Sequence, residues 1–347
     1  MKVLVDKIAS STKNVALSSV VEVSRNVIAM EGSVVVVKAL GENPNYGSIE
    51  LASGRMSRII EGDIIAGTLG ERRALRGFYG KIPKRVQAGD ILNVLNLGGV
   101  IGKAVSGITE LGKSIDVQVL GQALVFPTFD ERIGKPATIK ENAIAWKKRL
   151  GRSAPLIVFS ASNMDSGKTT AACELIKGLT LKGYRVAAAK LTGISLMRDT
   201  LNMRDYGAVR ALNFNDAGIV STTTARGSDY ARGIIHELNR DSPDCIVVEL
   251  GDGILGGYGV KAILRDRQLM KFAKAHVFCA NDQVVAWAGR ELFRKFGLEI
   301  SVISGKVTDN DVGTEYVGRE LKLPTANALN DSKKLTSIVE QKVFGAR

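Results

Sequence analysis

The apolar run from Leu156 to Ala161 passes directly into Ser162-Asn163-Met164-Asp165-Ser166-Gly167-Lys168-Thr169-Thr170, and a helical pattern follows through Ala171, Leu175 and Leu179. A strand, a polar turn carrying Gly-Lys-Thr and a helix in immediate succession leave few folds open. The N–H groups of such a turn and of the helix N-terminus converge on one point and make an anion cradle. In that setting Lys168 neutralises β- and γ-phosphate charge, the Thr169 hydroxyl ligates magnesium, and Gly167 allows the backbone to approach the ligand closely. Residues Ser162 to Thr170 are therefore the expected nucleotide-contacting segment, with ATP and Mg²⁺ as the expected cofactors and GTP as the alternative nucleotide. The first glycine of the usual loop is absent: Ser162 stands there, or Ala161 if the loop is longer by one residue.

Downstream, the strand-like runs Arg185 to Ala189, Cys245 to Leu250, His276 to Ala280 and Ile300 to Ser304 alternate with helical patterns. That alternation predicts a doubly wound parallel sheet over residues 153–347, an α/β fold that binds ligands at the carboxyl ends of its strands. Glu249, ending one strand, is the expected second metal group beside Thr169, and Asp205 on a polar segment with Arg198, Asp199 and Arg204 is a further candidate. Lys190 at the end of the second strand and Asp252 in the glycine-dense stretch Leu250 to Gly259 are, with Lys168, the candidate catalytic groups. Asn281, after the fourth strand, is placed for recognition of the base. Thr192, with Thr223 and Arg226 from the run Ser221 to Gly227, supplies hydroxyls and a guanidinium for an anionic substrate. Turn, cap and solvated-charge roles are the structural alternatives for these positions.

The first part of the chain has another grammar. Short β-rich segments, among them Val15 to Val23, Ser33 to Val37, Ile91 to Leu95 and Ser114 to Leu120, alternate with glycine-bearing turns and predict an all-β barrel or sandwich over residues 1–130. Two turns there echo each other, Glu61-Gly62-Asp63-Ile64-Ile65 and Ala88-Gly89-Asp90-Ile91-Leu92. Residues 131–152 read as a connection with a short helix from Asn142 to Leu150. A length of 347 residues supports two domains, and 45% hydrophobic with 24% charged residues fits ordinary globular protein. No apolar run reaches the roughly 20 residues that span a bilayer, so a cytoplasmic protein with no membrane association is expected.

Cys173, Cys245 and Cys279 stand apart in apolar stretches and read as buried thiols, and His236 and His276 are too few for a histidine-rich metal site. The net charge of +13 attracts anions of any kind. The basic segment Arg72, Arg73, Arg76, Lys81, Lys84 and Arg85, with Phe78 and Tyr79, raises nucleic-acid binding, but 5% aromatic content and the lack of a recognisable motif argue against it.

The loop resembles that of dethiobiotin synthetase, in which Gly-Thr-Asp, three residues and Gly-Lys-Thr follow one another; here Ala161-Ser162-Asn163 precedes Gly167-Lys168-Thr169. Lys190 and Val248-Glu249 match that family's Lys-Pro and Val-Glu-Gly elements, with Leu191 in place of proline and Leu250 before Gly251. The resemblance covers the last part of the chain and extends to the wider class of signal-recognition, partition and biotin-synthesis NTPases. It implies a homodimer and ATP-dependent activation of a carboxylate or carbamate. Together these readings predict an ATP-dependent, magnesium-requiring ligase or kinase acting on a small anionic substrate. A nucleotide-hydrolysing switch acting on a protein partner, similar in loop layout to protein B of molybdopterin-guanine dinucleotide synthesis, is the alternative.

Overall fold

The computed structural model describes residues 1–128, 133–223, 225 and 227–345. The chain divides into two compact units, one of residues 1–144, 194–198 and 214–225, the other of 145–193, 199–213 and 226–347. The division is not the contiguous one expected from sequence. Two excursions from the later half belong to the first unit, because backbone and side chains there satisfy each other: Asn96 Nδ2 donates to Ser195 O at 2.8 Å, Met197 N to Glu50 Oε2 at 2.6 Å, and Val220 N and Ser221 N to Glu31 Oε1 at 3.0 and 2.9 Å.

In the first unit five strands close a ring: Asp116–Val125 pairs with Val34–Ala39, then Ile64–Leu69, Val100–Gly107 and Ile91–Val94, which returns to Asp116–Val125. Val34–Ala39 is β-branched almost throughout and is buried on both faces, Val35 and Val37 packing with Ile65 and Ile101, and Val34 and Val36 with Ala66 and Val100. The echoed turns share their chemistry. Asp63 accepts from Ile60 N and Asp90 from Gln87 N, with Gly62 and Gly89 at φ +92° and +100°, a region that a Cβ disfavours. The segment expected as one strand from Val15 divides into a 3₁₀ turn over Ser10–Val15 and a strand over Val20–Ser24.

The second unit holds a six-stranded, all-parallel sheet. Its elements, numbered within the unit, are β1 Leu156–Ala161, α1 Lys168–Leu181, β2 Val186–Thr192, α2 Arg198–Asp205, β3 Arg210–Asn213, α3 Asp229–Asn239, β4 Cys245–Leu250, α4 Val260–Leu264, α5 Arg267–Met270, β5 Ala273–Cys279, α6 Gln283–Phe296, β6 Val302–Ser304, α7 Asp311–Tyr316 and α8 Ser332–Phe344. The strand order is β3-β2-β4-β1-β5-β6. Alternate side chains of β5 serve opposite faces: Ala275, Val277 and Cys279 join the core under α1 and α8, while His276 and Phe278 meet Phe293 of α6. Helices therefore cover both faces, as continuous apolar strands require.

The stretch from Asn142 to Leu150 is not helical. Its polar groups are drawn outward instead: in the second unit Lys147 N donates to Asp229 O, Lys147 O accepts from Arg232 Nε, and Leu150 N donates to the Gln268 side chain. The three cysteines are buried and unpaired, and burial pushes each thiol up to about 12.

Burial also depresses the His276 imidazole to about 4, below its ordinary 6.5. The unfolded chain then binds the additional proton, so the stability this neutral histidine carries is present above pH 6.5 and falls away as pH drops towards 4. The loss corresponds to about 3 kcal/mol at full protonation. Thermal melts of wild type and His276→Asn across pH 4–7.5 are expected to show a steeper acid decline in the wild type; parallel declines would refute this account.

Candidate nucleotide site

β1 ends at Ala161, and the chain turns through Ser162–Gly167 into α1, whose first residue is Lys168. Gly167 (φ +86°) and Asp165 (φ +58°) both take left-handed backbone, folding the loop back over the helix start. Lys168 is 5% exposed, and its Nζ donates to Asn163 O at 2.6 Å, which holds the ammonium over the loop. Burial lowers its pKa, opposed by the negative charges of Glu249, Asp252 and Asp165. This is a strand–loop–helix turn of P-loop geometry at the carboxyl end of a central parallel strand.

Asn163 organises the loop. Its Oδ1 accepts from Ser166 Oγ at 2.5 Å and from Asn281 Nδ2 at 3.2 Å. Asn281, which follows β5, is thereby brought to the loop, and its own Oδ1 is buried with no hydrogen-bond partner. Met164 is half-buried, while Asp165 and Thr170 are exposed on the outer side.

Glu249 stands in register with Phe159 of β1 and Lys190 of β2, so three neighbouring strands deliver their side chains to one place. Thr169 Oγ1 donates to Glu249 Oε1 at 3.1 Å, and Lys190 Nζ lies 3.8 Å from the same oxygen. The carboxylate is 2% exposed and its Oε2 is buried without a partner. A hydroxyl and a half-satisfied buried carboxylate side by side form a hard-oxygen set that fits Mg²⁺, which takes one or two protein oxygens and fills its shell with phosphate and water. Among the described residues there is no cluster of three or more His, Cys, Asp or Glu that would make an all-protein metal cage.

Lys190 forms its closest ion pair with Asp199 in the first turn of α2, both side chains being largely buried. Sequence reading gave Asp199 only a place on a polar segment and favoured Asp205, which is exposed at the last residue of α2. The signal was available: a lysine on a buried strand needs a carboxylate, and the first acid after it is Asp199. Thr192 also differs from expectation. It is fully buried, and its hydroxyl donates to Gly251 O at 2.9 Å, a bond between strand ends that leaves it committed within the protein. Thr223 belongs to the first unit, where its Oγ1 accepts from Ser221 Oγ at 2.9 Å, and Arg226 lies outside the described residues.

Asp252, in left-handed backbone at φ +64°, has its carboxyl pushed up by burial and drawn back down by Lys168. The glycines around it serve close packing. A Cβ on Gly253 would fall 1.7 Å from Ser162 O, one on Gly251 2.4 Å from Thr192 O, and one on Gly256 2.4 Å from Asp252 Oδ2. The stretch after β4 therefore lies directly against the phosphate loop. Gly253→Ala must displace backbone at Ser162 and is expected to destabilise the protein by about 1–3 kcal/mol, visible as a lower melting temperature together with weakened nucleotide binding in calorimetry. An unchanged melt and unchanged affinity would contradict the packing described.

No protein-family profile matches the chain, and no curated protein matches it. Solved structures do. The hydrogenase maturation factor HypB from Archaeoglobus fulgidus is similar at 16% identity and TM-score 0.31, over 56% of this chain and 79% of that one. The cell division protein FtsY from Thermotoga maritima is similar at 17% identity and TM-score 0.34, over 58% and 74%. A DUF1611 family protein from Anabaena variabilis is similar at 14% identity and TM-score 0.39, over 59% and 64%.

Proposed function

We propose that this protein binds a magnesium–nucleoside triphosphate on the Ser162–Thr170 loop and transfers the γ-phosphoryl group to a small anionic acceptor, in the manner of a ligase or kinase. The observation that carries the reading is the grouping of Thr169, Glu249 and Lys190, in which a second buried ammonium stands beside the metal-binding pair. Hydrolysis by water needs no second lysine of this kind, whereas an anionic acceptor approaching an anionic phosphate benefits from one.

The roles follow from position. Backbone N–H groups at the start of α1 and the Lys168 ammonium take up phosphate charge. Thr169 and Glu249 would hold Mg²⁺, which would supply Lewis-acid neutralisation of phosphate charge when bound. Lys190, oriented by Asp199, faces the acceptor side. Asp252, its carboxyl pKa raised by burial, is suited to take a proton from the acceptor. Asn281, with its free acceptor oxygen at the loop, helps orient the nucleotide.

A second reading has an observation of its own. Lys190 is tied to the first turn of α2 through Asp199, so a nucleotide that draws the lysine away would release that turn. This is the design of a switch that reports on bound nucleotide to a protein partner.

Turnover of ATP and of GTP with magnesium, with and without a panel of small carboxylates and amines, separates the two. Under the first reading a metabolite stimulates turnover, Lys168→Ala lowers kcat by about 10²-fold or more, and Lys190→Ala lowers kcat by about 10²-fold with a smaller change in nucleotide affinity. Slow hydrolysis that no metabolite stimulates and that survives Lys190→Ala would reject the transferase in favour of the switch.

A further inference from the structure

At the amino-end edge of the parallel sheet, opposite the phosphate loop, lies a groove of about 580 Å³ whose lining includes Arg265, Arg267, Lys271 and Lys295. Its position follows from the chain path, since Lys271 lies two residues before the start of β5 while the phosphate loop leaves β1 at the other end. The lining comes from the α4–α5 region and from the end of α6, far apart in sequence. A third segment joins them. Gln268 accepts from Leu150 N and donates to Lys148 O, each at 3.0 Å, which lays the exposed Lys148 and Arg149 alongside α5.

The groove's charge is uncompensated. Among the described residues none of these six cations pairs with a carboxylate, whereas the neighbouring Asp266 is taken by Arg232, Ser228 and the N-terminus of α5. Glu299, just beyond the lining, is the adjacent exposed acid. Two cations rest on rings: the Arg265 guanidinium is 5.0 Å from the Phe296 centroid and Lys271 Nζ is 4.7 Å from that of Phe272.

We infer that this groove binds single-stranded nucleic acid. Cations spaced around a concavity neutralise successive phosphates, and a guanidinium within cation–π distance of an aromatic ring offers a base both charge and a stacking partner. An anionic membrane is less suited, because attachment there adds exposed apolar anchors to charge, and Leu264, Met270, Phe296 and Leu298 in this lining are all buried or half-buried. The basic segment between Arg72 and Arg85, which sequence alone offered for this role, is the poorer candidate: Arg72 is 3% exposed and donates to Leu95 O and the Tyr46 hydroxyl, and Phe78 is 3% exposed.

The test is fluorescence anisotropy of the full chain with a labelled twelve-nucleotide RNA, without nucleoside triphosphate, across a KCl series. Neutralising four phosphates gives a log–log slope of about −3, or about 50-fold weaker binding at 200 mM than at 50 mM salt. The triple variant Arg267→Glu/Lys271→Glu/Lys295→Glu should lose at least about tenfold in affinity and flatten the slope by about 2. Lys81→Glu/Lys84→Glu/Arg85→Glu, an equal charge change in the first unit, and Lys168→Ala in the phosphate loop should each bind as wild type does. The substituted lining positions are at the surface, and unchanged thermal melts establish that each variant is folded. RNA binding that survives the Arg267/Lys271/Lys295 variant, or that is lost equally in the Lys81/Lys84/Arg85 variant, overturns the assignment. So does binding to phosphatidylserine-containing vesicles that is as tight as RNA binding and uses the same lining cations, which would make this a membrane-charge site.

Discussion

Glu249 is the constraint around which the second unit is arranged. A carboxylate 2% exposed on a central strand is tolerated only if its charge is met by donors and cations, and the fold meets it from both sides. β1 and α1 bring Thr169 and β2 brings Lys190. The compensation propagates: Lys190 is itself buried and draws Asp199 from α2, while Lys168, held on Asn163, feels Glu249, Asp252 and Asp165. Buried groups of alternating sign, delivered by separate elements, form a site whose members are expensive to remove singly.

Close backbone packing does the rest. The stretch after β4 reaches the phosphate loop only because Gly253 has no side chain, and Gly305, after β6, approaches it in the same way, a Cβ there falling 2.6 Å from Ser166 O. Glycines at these positions thus define how near three loops come to one another. Shape and charge in the site depend on the same few positions.

The phosphate loop, the strands β1, β2, β4, β5 and β6, Glu249 and Lys190 were legible in the sequence, since each rests on a local pattern: an apolar run, a motif, a charged residue ending a strand. β3 was not, because Arg210–Asn213 is a short edge strand whose arginine is paired outward with Glu237 and Asp241 and whose alternation is weak. Asn142 to Leu150 has a helical composition, but its hydrogen bonds go to α3 and α5, a tertiary preference that overrides the local one. Asp199 was hidden for a similar reason. Its meaning depends on a lysine nine residues earlier, folded back onto it across a turn. The basic groove escaped altogether, since its charge comes from three segments that only the fold brings together.

The interleaving of the two units bears on how the chain is made. The first unit contains residues 194–198 and 214–225, and Asn14 near the amino terminus donates through its side chain to Asn215 O, 201 positions away. The five strands of the ring all lie between residues 34 and 125, so Val34–Ala39 meets its partners within one continuous stretch of chain and its apolar side chains are sheltered early. Residues 194–198 and 214–225 arrive only after β1, α1 and β2 have been synthesised, and until then Glu31, Glu50 and Asn96 lack the partners that those segments bring. The ring forms first, and its polar rim is completed last.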